Sequence, residues 1–158
     1  MFRDELRVSK PTDYPYPCRL SSQQALLGYA QLESLKSNIL HRQSIAAWLE
    51  EELGYYNMSH ETLHQISWIR YSFLVNNREE FIHMFSGKFD LGIWFMSIFG
   101  GRDTDFDAVG YKDGSCPNAE FVAKHIVNFP THQRLPLQVL KKEVSPKLSW
   151  IRDEILKV

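Results

Sequence analysis

Apolar residues at Leu32, Leu35, Ile39, Ala46, Leu49 and Leu53 recur at helical spacing and mark one face of a long helix. Ser21 with Gln24 three residues on forms a capping box ahead of them, and Gly54 stands where a left-handed C-terminal cap belongs. The pattern predicts a helix from about Ser21 to Leu53, roughly 50 Å long at 1.5 Å per residue. Such a helix exceeds what one small module covers and suits a bridge to a second domain or subunit.

The period then shortens. Residues 65–75 (QISWIRYSFLV) are β-branched and aromatic without Gly or Pro, which predicts a strand. Asn77 with Glu80 starts a helix to about Gly87, apolar at Phe81, Ile82 and Phe85, and residues 91–98 read as a second strand. A Gly- and Asp-rich loop follows over 100–113. Ser115 as cap and Pro117 in the first turn open a helix whose apolar face is Ala119, Val122 and Ala123. Ile126, Val127 and Phe129 form a third strand stopped by Pro130, and the polar run 131–134 leads into a helix at Pro136. The tail divides at Pro146: Ser145 caps a last helix over 146–157, with Leu148, Ile151 and Ile155 on its face. Residues 1–20, charged and then rich in Pro and Tyr, read as an extended arm, and 21–158 as one unit. The expected class is α+β: a long N-terminal helix plus a small antiparallel or mixed three-stranded sheet packed by helices.

Composition narrows the partners. A chain of 158 residues suits one domain, and a net charge of −1 supplies no basic field for nucleic acid. No apolar run reaches the ~20 residues of a membrane span, and the start MFRDELRVSK is not a signal peptide, so a cytoplasmic location is expected. Cys18 and Cys116 lie far apart and form no disulfide framework. Aromatic residues make up 13% of the chain, and the cluster Ile93-Trp94-Phe95-Met96 with Phe99 points to a partner surface.

Candidate chemistry is sparse. His60-Glu61-Thr62-Leu63-His64 matches H-E-x-x-H, in which two histidines one turn apart bind zinc and the glutamate activates water. Glu79, Glu80 or His83 would have to supply a third ligand. The segment is short, polar and runs toward a strand, so we read it as an exposed turn and expect no metal. There is no phosphate-binding Gly-rich loop and no G-x-S-x-G elbow. Cys116 has no placed base. His132, in the loop after the third strand, occupies a common position for a site residue.

Two segments carry a resemblance. Arg19-Leu20-Ser21-Ser22-Gln23-Gln24-Ala25-Leu26-Leu27-Gly28 with Gln31-Leu32 resembles the R-[ML]-S-x-x-Q-A-x-L-G-x-x-Q-L segment of the DegT/DnrJ/StrS sugar aminotransferases. Cys116-Pro117-Asn118-Ala119-Glu120, and Phe129-Pro130-Thr131-His132, are similar to that family's C-P-x-A-E and L-P-x-H segments. Tyr111 and the entry Leu91-Gly92-Ile93 fit the same order, over about residues 14–156.

The resemblance implies the C-terminal small domain of a fold-type-I transferase. Such an enzyme uses pyridoxal 5'-phosphate (PLP) to move an amino group to a keto-sugar nucleotide, as a dimer with interfacial active sites. Arg19 and His132 are then cofactor- or substrate-proximal. The large domain, with the Schiff-base lysine and the aspartate that pairs with the pyridine nitrogen, has no counterpart among these residues. The isolated chain is accordingly expected to be inactive, to bind no metal, and to pair with a copy of itself or with a large-domain polypeptide. Pro17 stands where the family often has a phosphate-binding asparagine, so that contact does not carry over. The alternative is a non-catalytic dimerisation or partner-binding module.

Overall fold

A computed structural model describes residues 20–92, 98 and 110–157. The expected arm, Arg19, Cys18, the cluster at 93–97 and most of the 100–113 loop lie outside the described residues.

Helix α1 (Ser22–Leu53) has the expected bounds because both ends are locally determined. The Ser21 hydroxyl accepts from Gln24 N–H, the Gln24 side chain accepts from Ser21 N–H, and Gly54 closes the helix at φ 58°. Its two halves differ. Ile45, Ala46, Leu49 and Leu53 are buried, whereas residues 22–37 are exposed throughout, with Leu26, Leu27 and Leu32 all about two-thirds exposed or more. Only the second half belongs to this core.

The remaining elements are α2 (His60–Gln65), β1 (Arg70–Leu74), α3 (Arg78–Phe85), α4 (Pro117–His125), β2 (Ile126–Pro130), α5 (Leu137–Val144), a 3-10 turn (Ser145–Lys147) and α6 (Leu148–Glu154). β1 and β2 pair antiparallel, with Tyr71 opposite Phe129 and Phe73 opposite Val127 on the core face. Phe129 is the hub of that face. Its ring meets Phe73, Phe81, Phe85 and Phe89, with centroids 5.4–5.8 Å away. Ile45 and Leu49 of α1, Leu140 and Val144 of α5, and Ile151 of α6 complete the core.

Several expectations are corrected. The sheet has two strands among the described residues, not three. Leu91 accepts one backbone bond from Asn128 N–H (3.1 Å) along the outer edge of β2. At Gly92 the chain turns to φ 57°, its N–H held by the Asp90 carboxylate at 2.8 Å, and residues 93–97 of the strand expected over 91–98 lie outside the described residues. The strand expected over 65–75 begins only at Arg70, because Ser59 caps Thr62 and Leu63 is buried, which holds His60–Gln65 as a helical turn. Neither expected serine cap forms. Cys116 occupies the N-cap of α4, and Ser145 has helical φ and ψ and carries α5 on into the 3-10 turn. On α4 only Ala123 of the expected apolar face is buried. Ile155 lies beyond the end of α6 and bridges Val75, so the tail covers the free edge of β1.

One buried polar group ties these parts together. Glu50, on α1, accepts from the Tyr71 hydroxyl (2.5 Å) and from the backbone N–H groups of Tyr56 and Met58 (3.2 Å each). The Tyr56 hydroxyl donates to Ser72 C=O. Burial, then the neighbouring Tyr55 and Glu50, push the Tyr56 phenol up to about 12, and burial with the Glu50 bond pushes Tyr71 higher still. Folded-state values above the unfolded value of about 10 mean that the unfolded chain loses its protons first. The contribution of these two phenols should therefore be constant below pH 10 and be lost from about pH 10 to 12 and beyond. Chemical denaturation across that range should show the loss, and Tyr56→Phe with Tyr71→Phe should flatten it.

Candidate functional site

β2 ends at Pro130, and the next residue anchors the loop that bears His132. Thr131 is fully buried, and its hydroxyl is shared between the carbonyls of Trp68 (2.7 Å) and Ile69 (2.8 Å). Arg42 of α1 donates to Ile69 C=O (2.9 Å) and to the Thr131 hydroxyl (3.2 Å), while its Nε holds Asn38 (2.8 Å). His41 on the same helix bonds the Leu135 carbonyl at 3.0 Å, and His132 C=O accepts from Leu135 N–H to close the turn. Three segments distant in sequence thus fix where His132 sits.

Three arginines bear electrostatically on the ring. Arg70, at the start of β1, donates to Asp90 C=O (2.7 Å) and pairs with the Asp90 carboxylate (3.3 Å). Its guanidinium packs against Gly92 so closely that a Cβ there would lie 2.8 Å from Cζ. Any side chain at 92 would push Arg70 from its place, which gives the Leu91-Gly92 pair a positional reason. Burial first, then Arg70, with smaller contributions from Arg42 and Arg134, holds the His132 imidazole below the usual histidine value. Its Nδ1 is buried and has no hydrogen-bond partner among the described residues. A neutral imidazole under the charge of three arginines favours a neighbouring group that carries negative charge.

This has a direct check. Because the folded value lies below the unfolded one of about 6.5, the folded ring stays neutral where the unfolded ring protonates. Its contribution to stability is present above pH 6.5 and is lost as pH falls through the folded value. In a pH titration by NMR, the His132 ring should titrate below 6.5, and a value at or above 6.5 would contradict the arrangement.

The C-P-x-A-E segment does structural work. Glu120 Oε1 accepts from the Tyr111 hydroxyl (2.5 Å) and from Gly114 N–H (2.8 Å), and the Tyr111 oxygen accepts from Cys116 N–H (3.1 Å). These bonds hold the Glu120 carboxyl below its ordinary range, the Tyr111 bond contributing most. Glu120 thus replaces the serine cap as the brace of α4's entry. Cys116 is a free, exposed thiol.

His132 is therefore placed in a defined setting, and Arg19 falls outside the described residues. Sequence reasoning missed Arg42, Arg70 and Thr131. Arg42 reaches partners 26 to 89 residues away, and no local spacing signals such contacts. His60 and His64 lie on the exposed turn of α2, apart from this loop. Among the described residues no group of three or more His, Cys, Asp or Glu side chains could hold a metal ion. No described helix is long and apolar enough to cross a membrane.

A family model, that of the DegT/DnrJ/EryC1/StrS aminotransferase family, matches residues 5–145. No curated protein and no solved structure matches the chain.

Proposed function

The chain belongs to the DegT/DnrJ/EryC1/StrS aminotransferase family, and from that premise we propose that it serves as the C-terminal small domain of a PLP-dependent aminotransferase acting on keto-sugar nucleotides. PLP bound to a lysine amine supplies the electron sink for amino-group transfer in such enzymes. No lysine lies in the 131–136 loop that bears His132, so we assign the Schiff-base amine to another polypeptide. Lys88, in the turn after α3, pairs with Glu143 of α5, Lys141 lies over Trp48 and Lys147 over Phe85. The His132 setting fits one anionic edge of a site whose amine comes from a large-domain polypeptide. We assign His132 and Arg19 to the wall of that site and no catalytic step to this chain alone.

The observation that carries this reading is the unpartnered Nδ1 of His132 within an arginine-flanked loop, on a family-matched segment. The exposed leucines on residues 22–37 supply a surface for the missing domain or for a second copy of the chain. They equally favour the second reading, a non-catalytic dimerisation or partner module. The two separate in one experiment: the chain is combined with a lysine-bearing large domain of the family, PLP, glutamate and a keto-sugar nucleotide. The first reading requires transamination that His132→Gln lowers about tenfold to 100-fold, as loss of a positioning contact does. Turnover indifferent to His132→Gln would remove His132 from the site, and association without turnover would support the second reading.

A further inference from the structure

The His60–His64 pair is left unused by the aminotransferase reading. The two residues stand one helical turn apart on α2, and their Nε2 atoms share a hydrogen bond of 3.1 Å with the ring centroids 4.3 Å apart, so a change of tautomer in the donor ring would free both Nε2 atoms for a cation. Two nitrogens bound to one cation at about 2.0–2.1 Å in tetrahedral geometry lie about 3.3–3.4 Å apart. The pair stands within about 0.3 Å of that separation.

The turn that carries it is not loose. Ser59 caps it through Thr62 N–H, Leu63 is buried beneath it, and Trp68 Nε1–H donates to Leu63 C=O at 3.0 Å. The buried Gln43 side chain donates to His64 C=O at 2.6 Å, which fixes the second histidine's backbone against α1. Both rings face solvent at one end of a groove of about 680 Å³ that Glu51 and Lys141 also line, so a hydrated cation can reach them.

We propose that His60 and His64 form a two-histidine chelate for a borderline divalent transition-metal cation such as Zn²⁺, Ni²⁺ or Cu²⁺. Each ring contributes Nε2 in its neutral form, and water fills the remaining positions. Glu61 takes no part as a ligand. The site is a binding site and not a hydrolase centre, since no third protein ligand among the described residues joins the pair to hold a water for attack.

Calorimetric titration of the whole chain with Zn²⁺ alone tests this. Loss of an outer partner already costs about 10–100-fold in metal affinity, so removal of either direct ligand should cost at least about tenfold. His60→Gln and His64→Gln should each do so with unchanged far-UV circular dichroism, Glu61→Gln should bind as the parent does, and excess Mg²⁺ should not compete. Zn²⁺ affinity retained in either histidine variant, an equal loss in Glu61→Gln, or no Zn²⁺ binding by the parent chain would overturn the assignment.

Discussion

Phe129→Ala is expected to lower the unfolding free energy by about 3–5 kcal/mol, the cost of emptying a fully buried phenylalanine site. For a chain of this size that corresponds to a drop in Tm of roughly 6–20 °C. The reason lies in its neighbours. Four rings contributed by β1, α3 and the turn after it converge on this one side chain, so they cannot all close on the void. Phe129→Leu keeps most of the volume and should cost much less. Thermal unfolding of the two variants, followed by circular dichroism, measures the difference. Equal small losses in both would mean that the aromatic face does not support the β2 strand and the loop that follows it.

The second large effect is expected at Glu50. Removing its carboxylate leaves the buried Tyr71 hydroxyl and two half-buried backbone N–H groups without their acceptor. Each stranded donor costs about 1–3 kcal/mol, so Glu50→Ala should destabilise by about 3–5 kcal/mol after partial relaxation. Glu50→Gln keeps one acceptor oxygen and should cost about 1–3 kcal/mol. A double-mutant cycle with Tyr71→Phe isolates the shared bond, and a coupling of about 0.5–3 kcal/mol is expected. Denaturant titration supplies the values; strict additivity would remove the bond from the account.

Neither residue stood out in the sequence to the same degree. Phe129 lay in an apolar run next to a proline stop, so its strand was legible. Glu50 sits among charged neighbours at 51 and 52, and nothing local marks it as interior. What makes it an interior residue is the return of the chain through Tyr56 and Met58 and the pairing of β1, which no helical period encodes. The same distinction runs through the fold. The bounds of α1 were legible because a capping box and a left-handed glycine act within a few residues. Its leucines at 32 and 35 fit the apolar stripe equally well, yet they are exposed, since periodicity marks a face without saying which stretch of it finds a core. Ser115 and Ser145 had the right residue type for caps, but Glu120 supplied the brace at one and the helix ran on through the other.

The candidate site divides in the same way. His132 was legible as a polar ring at a strand end within a family-like segment. Its arginine setting was not, because Arg42, Arg70 and Arg134 come together only when α1, β1 and the loop pack. The reason for Gly92 emerges from that packing too: the Arg70 guanidinium occupies the space a side chain would need.

We propose that this chain forms one wall of a PLP-dependent site completed by a lysine-bearing polypeptide. The most direct measurement combines the purified chain with such a family large domain and PLP, and follows both the visible absorbance of lysine-bound cofactor and amino transfer from glutamate to a keto-sugar nucleotide. The account predicts transfer in the pair, none from this chain alone, and a reduced rate with His132→Gln. Amino transfer by this chain alone, or a large domain whose activity is the same with and without it, would contradict the claim.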